Sequence, residues 1–481
     1  MKYEAVIGLE VHAQLKTDSK IFCGCSTQFG AEPNSNTCPV CTGMPGVLPV
    51  LNKKVVEYAI RAALALDCTI AQRSIFARKN YFYPDLPKNY QVSQYELPLA
   101  ENGKLDITVD GVKKTVCIKR IHMEEDAGKL LHFIGSRKID GSLVDFNRTG
   151  IPLIEIVTDP DIESPDQAYQ YLASLKSILE YTEVSDCNME EGKFRCDANI
   201  SVRPIGEKKL GVKAELKNMN SLKNVKDALE YEIKRQVKDI KNAKTIIQET
   251  RLWDANKKVT LSMRTKEEAH DYRYFPEPDL VPMVIDAKWI EEVRKKLPEL
   301  PKARKKRMID EYGLSEYDAG VLSAEKPLAD YYEKCVSASG DKSTAKPVAN
   351  WVMGDLLGHL NAQNRTIKDS PITPEAMAQL VKMIENNTIS GKIAKTVFED
   401  MFATGKEPSI IVRDKGLVQV SDESEIFKVI EEILRENPKA RDEFLSGKGK
   451  TIGFLVGAVM KKTKGKANPQ VVNKLLREKM K

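Results

Sequence analysis

Cys23-x-Cys25 is followed after twelve residues by Cys38-x-x-Cys41, so four of the chain's nine cysteines crowd into one short stretch. Two closely spaced thiol pairs separated by a loop can close around a single tetrahedral ion, which leaves the loop little choice of shape. The odd number of cysteines argues against a disulfide framework and for metal ligation in a reducing compartment. Four thiolates fill every position of a tetrahedral Zn²⁺, so the ion is expected to be structural, fixing a loop that carries Gly30, Pro33 and Asn34. The competing reading is four unligated thiols.

Upstream, Val6 to Leu15 reads VIGLEVHAQL, with apolar residues at the odd positions and Glu10, His12 and Gln14 at the even ones. On a strand these three share one face, which places a carboxylate and an imidazole roughly 7 Å apart. The same alternation puts Arg195, Asp197, Asn199, Ser201 and Arg203 on one face of the segment from Phe194 to Arg203, and Lys213, Glu215 and Lys217 on one face of a shorter segment. Glu155 lies inside Pro152 to Val157 (PLIEIV), a buried-strand pattern, and a buried carboxylate needs a cation, a hydrogen-bond network or a raised pKa. A metal ion satisfies that need, as does an ion pair with an arginine such as Arg148. Glu124, Glu125 and Asp126 follow one another between a strand and a turn; hard oxygen donors of this kind suit Mg²⁺ bridging nucleotide phosphates, and a surface acidic loop is the alternative.

At 481 residues, 42% hydrophobic and 30% charged, the chain is long enough for about three domains and belongs to no fibrous or disordered class. Up to about residue 293, short alternating segments broken by Gly, Pro and Asn predict a mixed α+β domain, with local helical spacing at Val55 to Leu64. Pro298 and Pro301 interrupt a basic stretch that marks a helix boundary or linker. Residues 294–407 are expected to be helical, notably Asp330 to Val336, Ala349 to Leu360 and Pro374 to Ile384. A last unit, 408–481, is expected to begin with a short strand at Ile410 to Val412, continue with a helix from Ser424 to Glu436, and end in two helices after Gly447 to Lys450.

The net charge is only +6, but ten Lys/Arg against one Glu fall between Ser446 and Lys481. Such a tail can hold RNA phosphates, although lysine-rich helices also occur on proteins that bind none. Arg78 to Tyr90 mixes bases with aromatics, a composition able to stack nucleotides or to pack into a core. The Gly447 to Thr451 segment is not a P-loop, since the earlier glycine of that motif would fall on Phe444. No dinucleotide-binding glycine motif follows a strand, so ATP would have to be held by carboxylate-bound Mg²⁺ and basic side chains. The first fifteen residues carry Glu4 and Glu10 within an apolar alternation, unlike a secretory signal, and no apolar run approaches the ~20 residues of a membrane span. A cytoplasmic protein without a membrane partner is expected.

Val6 to Leu15, RKNYFYP at Arg78 to Pro84, HMEEDAGK at His122 to Lys129, PLIEIV, RCDANIS at Arg195 to Ser201, KAELKNMN at Lys213 to Asn220 and DYRYFPEP at Asp271 to Pro278 resemble, in order, the signature blocks of the B-subunit (GatB/GatE) family of aspartyl/glutamyl-tRNA amidotransferases. The resemblance runs through the whole chain. It implies a cradle domain related in fold to glutamine synthetase and guanido kinases, then an all-helical domain and a small YqeY-like tail domain that binds tRNA. It also implies ATP-dependent phosphorylation of the side-chain carboxylate of Glu-tRNA(Gln) or Asp-tRNA(Asn), followed by amidation with ammonia. Carried over by position, His12, Glu125 and Glu155 are the expected Mg²⁺ (or Mn²⁺) ligands. Glu10, Glu124 and Asp197 are neighbouring ligands or groups that orient them, and Lys79 and Lys88 line the ammonia passage.

The chain shows no Ser-Ser-Lys amidase signature and no Cys/His glutaminase constellation. The resemblance therefore implies a heterotrimer in which a separate A subunit is the amidase and a small C subunit braces the other two. A related E subunit has a large inserted domain for which this chain has no room. Two other readings compete: a noncatalytic zinc-bearing RNA-binding scaffold, and a glutamine-synthetase-like ligase acting on a small molecule, which the C-terminal extension disfavours.

Overall fold

The computed structural model describes residues 2–135, 137–265, 272–417, 423–445, 451–463, 467 and 469–479. Asp271 and the stretch from Gly447 to Lys450, both used in the sequence reading, lie outside the described residues. The chain divides into two compact units, Met1–Leu300 and Pro301–Lys481.

The first unit runs β1 (Tyr3–Gln14), α1 (Lys53–Ala65), β2 (Thr69–Ile70), β3 (Arg73–Ser74), β4 (Ala77–Asn80), β5 (Tyr90–Ser93), β6 (Ala100–Val109), β7 (Val112–Glu125), β8 (Lys129–Ile134), β9 (Arg137–Asp145), β10 (Pro152–Thr158), α2 (Pro165–Tyr181), β11 (Phe194–Pro204), β12 (Ala214–Lys217), α3 (Leu222–Lys241), β13 (Glu249–Asp254), β14 (Val259–Thr265), β15 (Phe275–Pro276), β16 (Met283–Val284) and α4 (Ala287–Lys295). Nine strands form one sheet in the order β14-β13-β12-β11-β1-β10-β7-β6-β2, antiparallel throughout except for the parallel β12–β13 pair.

Because side chains alternate across a strand, one face of this sheet is apolar and the other polar. Ile7, Leu9, Val11 and Ala13 of β1 are buried in a core shared with Ala59 and Ala63 of α1, Leu172 and Leu175 of α2, and Val225 and Leu229 of α3. Each helix starts on a side-chain cap that satisfies an otherwise orphaned N–H: Asn52 accepts from the Lys54 N–H, Ser164 from that of Gln167, and Ser221 from that of Asn224. Burying three helices on one side leaves the opposite face as a floor that can carry charge. A three-stranded sheet, β15-β4-β5, brings the motifs around Arg78 and Tyr274 together.

The second unit contains described helices α5 (Pro301–Tyr312), α6 (Glu316–Leu322), α7 (Lys326–Ser339), α8 (Ala345–Asn350), α9 (Leu357–Ala362), α10 (Pro374–Glu385), α11 (Gly391–Thr404), α12 (Pro408–Asp414), α13 (Glu423–Glu436), α14 (Pro438–Leu445), α15 (Thr451–Lys462) and α16 (Pro469–Lys479). The expected α+β half followed by helices is therefore present. The strand expected at Ile410 to Val412 is not: these residues are helical in α12. Pro408 at the first helical position presets the backbone, and Ile411 and Val412 are buried where α12 meets α10 and α11, which outweighs the modest β preference of branched side chains. In the C-terminal stretch, Ile430, Leu455, Val459, Val472 and Leu476 form a separate apolar cluster across α13, α15 and α16.

Candidate functional site

The polar floor is assembled by strand register. On β1, His12 stands opposite Glu155 of β10 on one side and Arg195 of β11 on the other, and Glu10 stands opposite Asp197. Across the next pairing, Glu155 faces His122 of β7, and Leu153 faces Glu124. Since directly opposed residues share a face, His12, His122, Glu124 and Glu155 converge. His12 Nε2 is 3.4 Å from both Glu124 Oε1 and Glu155 Oε2, and His122 Nε2 is 3.1 Å from Glu155 Oε2 and 3.6 Å from Glu124 Oε2. Ser93 donates its hydroxyl to Glu124 Oε2 at 3.2 Å.

One donor atom each from His12, Glu124 and Glu155 fits within a 4.8 Å cluster, a donor set suited to a divalent cation. The electrostatics agree. Burial works against ionisation of Glu155 and Glu124, yet hydrogen bonds and charge from His122 and His12 hold both carboxyls below their ordinary range. Burial likewise disfavours the imidazolium of His122, but Glu155 and Glu124 lift it to about 9. Lys79 sits beside this group, 4.8 Å from the Tyr272 ring centroid and 5.7 Å from that of Tyr81. Burial opposes its charge, and Tyr274, Glu124, Tyr81 and Glu155 outweigh that, so the ammonium persists.

Glu125 is not part of this cluster. Adjacent to Glu124 on a strand, it points to the other face, where its Oε1 accepts from the Val92 N–H at 2.9 Å and from the ammonium of Lys88. The pair borders a cavity of about 200 Å³ whose opposite wall is the cysteine loop, with Cys23, Cys41, Gly43 and Met44. Lys79 and Lys88 therefore serve different places, but a line of polar groups joins them. Gln91 donates to the Glu125 carbonyl at 2.8 Å, and the Tyr81 hydroxyl reaches Gln91 Oε1 at 3.3 Å. Glu10 is held by the Asn199 amide at 2.8 Å, and Asp197 pairs with Lys217, so both flank the cluster on the same floor without joining it.

Glu155 does not pair with Arg148, whose guanidinium instead donates to the Ala127 and Gly128 carbonyls and stands 3.7 Å from Asp126. The acidic run is no surface loop, since Glu124, Glu125 and Asp126 are all buried. Of the aromatic-basic segment, Arg78 is structural: it makes two 2.7 Å hydrogen bonds to Glu277 and stacks on Tyr90, whereas Phe82 and Tyr83 remain exposed.

The four cysteine sulfurs also lie within 4.8 Å of one another, and Cys38 Sγ to Cys41 Sγ measures 3.9 Å. A tetrahedron with Zn–S bonds of about 2.3 Å has an edge of ~3.8 Å, so the donor set fits zinc. Lys20, fully buried, donates to the Asn36 and Phe146 carbonyls and lies 3.6 Å from Cys41 Sγ. Cys41 is held down at about 4, first by the hydrogen bond from Cys23 and then, against burial, by the Cys38 N–H and Lys20.

These positions can be set beside known proteins. Residues 5–291 match the GatB/GatE catalytic domain, and residues 330–480 match the GatB domain. The chain belongs to the GatB/GatE family. Three full-length relatives are each named as the B subunit of an aspartyl/glutamyl-tRNA(Asn/Gln) amidotransferase. That of Caldanaerobacter subterraneus subsp. tengcongensis is 61% identical over 480 residues, covering 100% of both chains. That of Carboxydothermus hydrogenoformans is 60% identical over 479 residues, covering 100% of this chain and 99% of its own. That of Geotalea daltonii is 60% identical over 480 residues, covering 100% of both. Within this GatB/GatE chain, sequence reasoning overlooked His122, Ser93 and Lys20. The signal for His122 was present: His122 and Glu124 stand two residues apart, the spacing that places both on one strand face.

Proposed function

We propose that this GatB/GatE-family chain is the B subunit of a glutamine-hydrolysing tRNA-dependent amidotransferase, and that its polar floor activates the side-chain carboxylate of Glu-tRNA(Gln), Asp-tRNA(Asn) or both with ATP. The observation that carries this reading is the convergence of His12, Glu124 and Glu155, with the ammonium of Lys79 close enough to be held charged by both carboxylates. His12, Glu124 and Glu155 would hold Mg²⁺, or Mn²⁺ given the imidazole donor, which when bound offsets charge on ATP and on the transferring phosphoryl group.

A carboxylate resists ammonia because its leaving group would be oxide. In the proposed sequence, a substrate carboxylate oxygen attacks the γ-phosphorus as the bond to ADP breaks. Ammonia then attacks the acyl carbon, phosphate departs with the C–O electron pair, and the nitrogen loses a proton. Lys79 would orient the negatively charged acceptor, and Glu10 and Asp197, held by Asn199 and Lys217, would flank the reacting groups on the same floor. The line from Lys88 and Glu125 through Gln91 and Tyr81 to Lys79 supplies polar partners for ammonia entering from the cavity. The ammonia would come from an amidase, the A subunit, held in place by a small C subunit. The tail helices would hold the tRNA, and the complex would work in the cytoplasm. Among the described residues no helix is long and apolar enough to cross a membrane. The Cys23, Cys25, Cys38 and Cys41 site would hold a structural zinc.

The test is ATP cleavage by the reconstituted complex, comparing mischarged with correctly charged tRNA and wild type with Glu155→Gln and His12→Ala. Turnover that requires mischarged tRNA and collapses in both variants supports the reading. Turnover indifferent to the variants would leave this chain as a zinc-bearing tRNA scaffold.

A further inference from the structure

Gly43 follows the last cysteine by two residues and has φ +69°, a conformation that side chains resist. It also has no room: a Cβ there would overlap Cγ of Lys88 and stand 3.3 Å from the Lys88 Cα and Cβ. Gly46, three residues on, has φ +86° but open space around it. The loop thus needs glycine at both positions for conformation, and at position 43 also for contact.

That contact joins two well-anchored segments. Thr42 and Met44, on either side of Gly43, bond through their N–H groups to the Cys38 and Pro39 carbonyls, and the Gly43 N–H bonds to the Val40 carbonyl at 3.1 Å, so the glycine moves with the Cys38–Cys41 turn. On the other side, Lys88 belongs to a turn closed by the Leu86 and Asn89 N–H groups. Gly128 donates to the Asp85 carbonyl at 2.7 Å, which ties that turn to the segment just beyond Glu125. The Lys88 stem is consequently gripped between the cysteine loop and the strand that bears its partner.

We infer that the cysteine loop is a positioning element for Lys88: through Gly43 it holds the lysine stem so that the ammonium meets Glu125 at the mouth of the polar line toward Lys79. The metal held by the four cysteines would thereby act on ammonia delivery at a distance from the phosphoryl-transfer floor. This inference rests on the proposed passage through Lys88 and Glu125.

The experiment uses the reconstituted complex and reads the ratio of glutamine-dependent to free-ammonia-dependent amidation, together with zinc content. Gly43→Ala is expected to lower the ratio about tenfold or more, because a small displacement of a positioned group has effects of that order, while zinc content and the free-ammonia rate stay at wild-type level. Gly46→Ala carries the same left-handed strain without the collision and should keep the wild-type ratio. In a Lys88→Met background, Gly43→Ala should add nothing further. If Lys88→Met itself keeps the wild-type ratio, the passage reading falls and this inference with it. If Lys88→Met lowers the ratio and Gly43→Ala does not, only the positioning role is overturned. Equal effects of Gly43→Ala and Gly46→Ala, or zinc loss from Gly43→Ala, would also overturn it.

Discussion

His122 and Glu155 face each other across β7 and β10 with Nε2 3.1 Å from Oε2, and the same imidazole stands 3.6 Å from Glu124. A buried imidazole that contacts one carboxylate and stands close to a second helps set how both are oriented toward a cation, a role that supporting groups commonly play around metal ligands. His122→Ala should weaken divalent-cation binding by roughly 10- to 100-fold while leaving the fold intact. Calorimetric titration of the purified chain with Mn²⁺ measures this directly; an unchanged affinity would remove His122 from the site.

Glu124 and Glu155 sit on the floor, whereas Glu125 points to the cavity. The two neighbouring carboxylates should therefore separate functionally. With free ammonia as donor, Glu124→Gln should depress ATP-dependent activation by at least about 100-fold, the order expected for loss of an electrostatic partner of the reacting groups. Glu125→Gln should retain most of that activity and fail with glutamine. Equal losses under both donors would show that the alternation of β7 does not govern the chemistry.

The sheet faces were legible because period-two alternation is explicit at Val6 to Leu15 and Phe194 to Arg203. The clustering of the four cysteines was legible because they are local in sequence. Convergence of residues from separate segments was expected only through the family resemblance, and the place of His122 escaped: that it meets Glu155 depends on antiparallel register between β7 and β10, which one sequence does not encode locally. Glu125 rather than Glu124 was carried over as a ligand from the family resemblance, without asking which strand face each residue takes. Extending β7 through Glu125 reverses that choice. The strand expected at Ile410 failed for a different reason, tertiary packing overriding local preference.

Arg78 and Glu277 form a two-pronged ion pair, with Glu277 almost fully buried beside Asp279. Removing one partner strands a charge in a poorly solvated place, so Arg78→Ala should cost about 3 kcal/mol or more. Arg78→Lys should recover only part of this, because a single ammonium cannot reproduce the planar fork. Midpoints of urea unfolding, compared among the three proteins, provide the check. Full recovery by lysine would mean that charge alone, without geometry, accounts for the pair.

Lys20 is fully buried 3.6 Å from Cys41 Sγ, and its other hydrogen bonds go to the carbonyls of Asn36, inside the cysteine loop, and of Phe146, outside it. Four thiolates around one Zn²⁺ leave two excess negative charges, and a fixed ammonium offsets part of that excess while bracing the loop. Cys41→Ser should abolish stoichiometric zinc and lower the melting temperature by several degrees. Lys20→Met should keep the stoichiometry but weaken zinc roughly tenfold in competition with a chromogenic chelator. Zinc affinity unchanged in Lys20→Met, with the melting temperature lowered, would reduce Lys20 to a brace between backbone carbonyls.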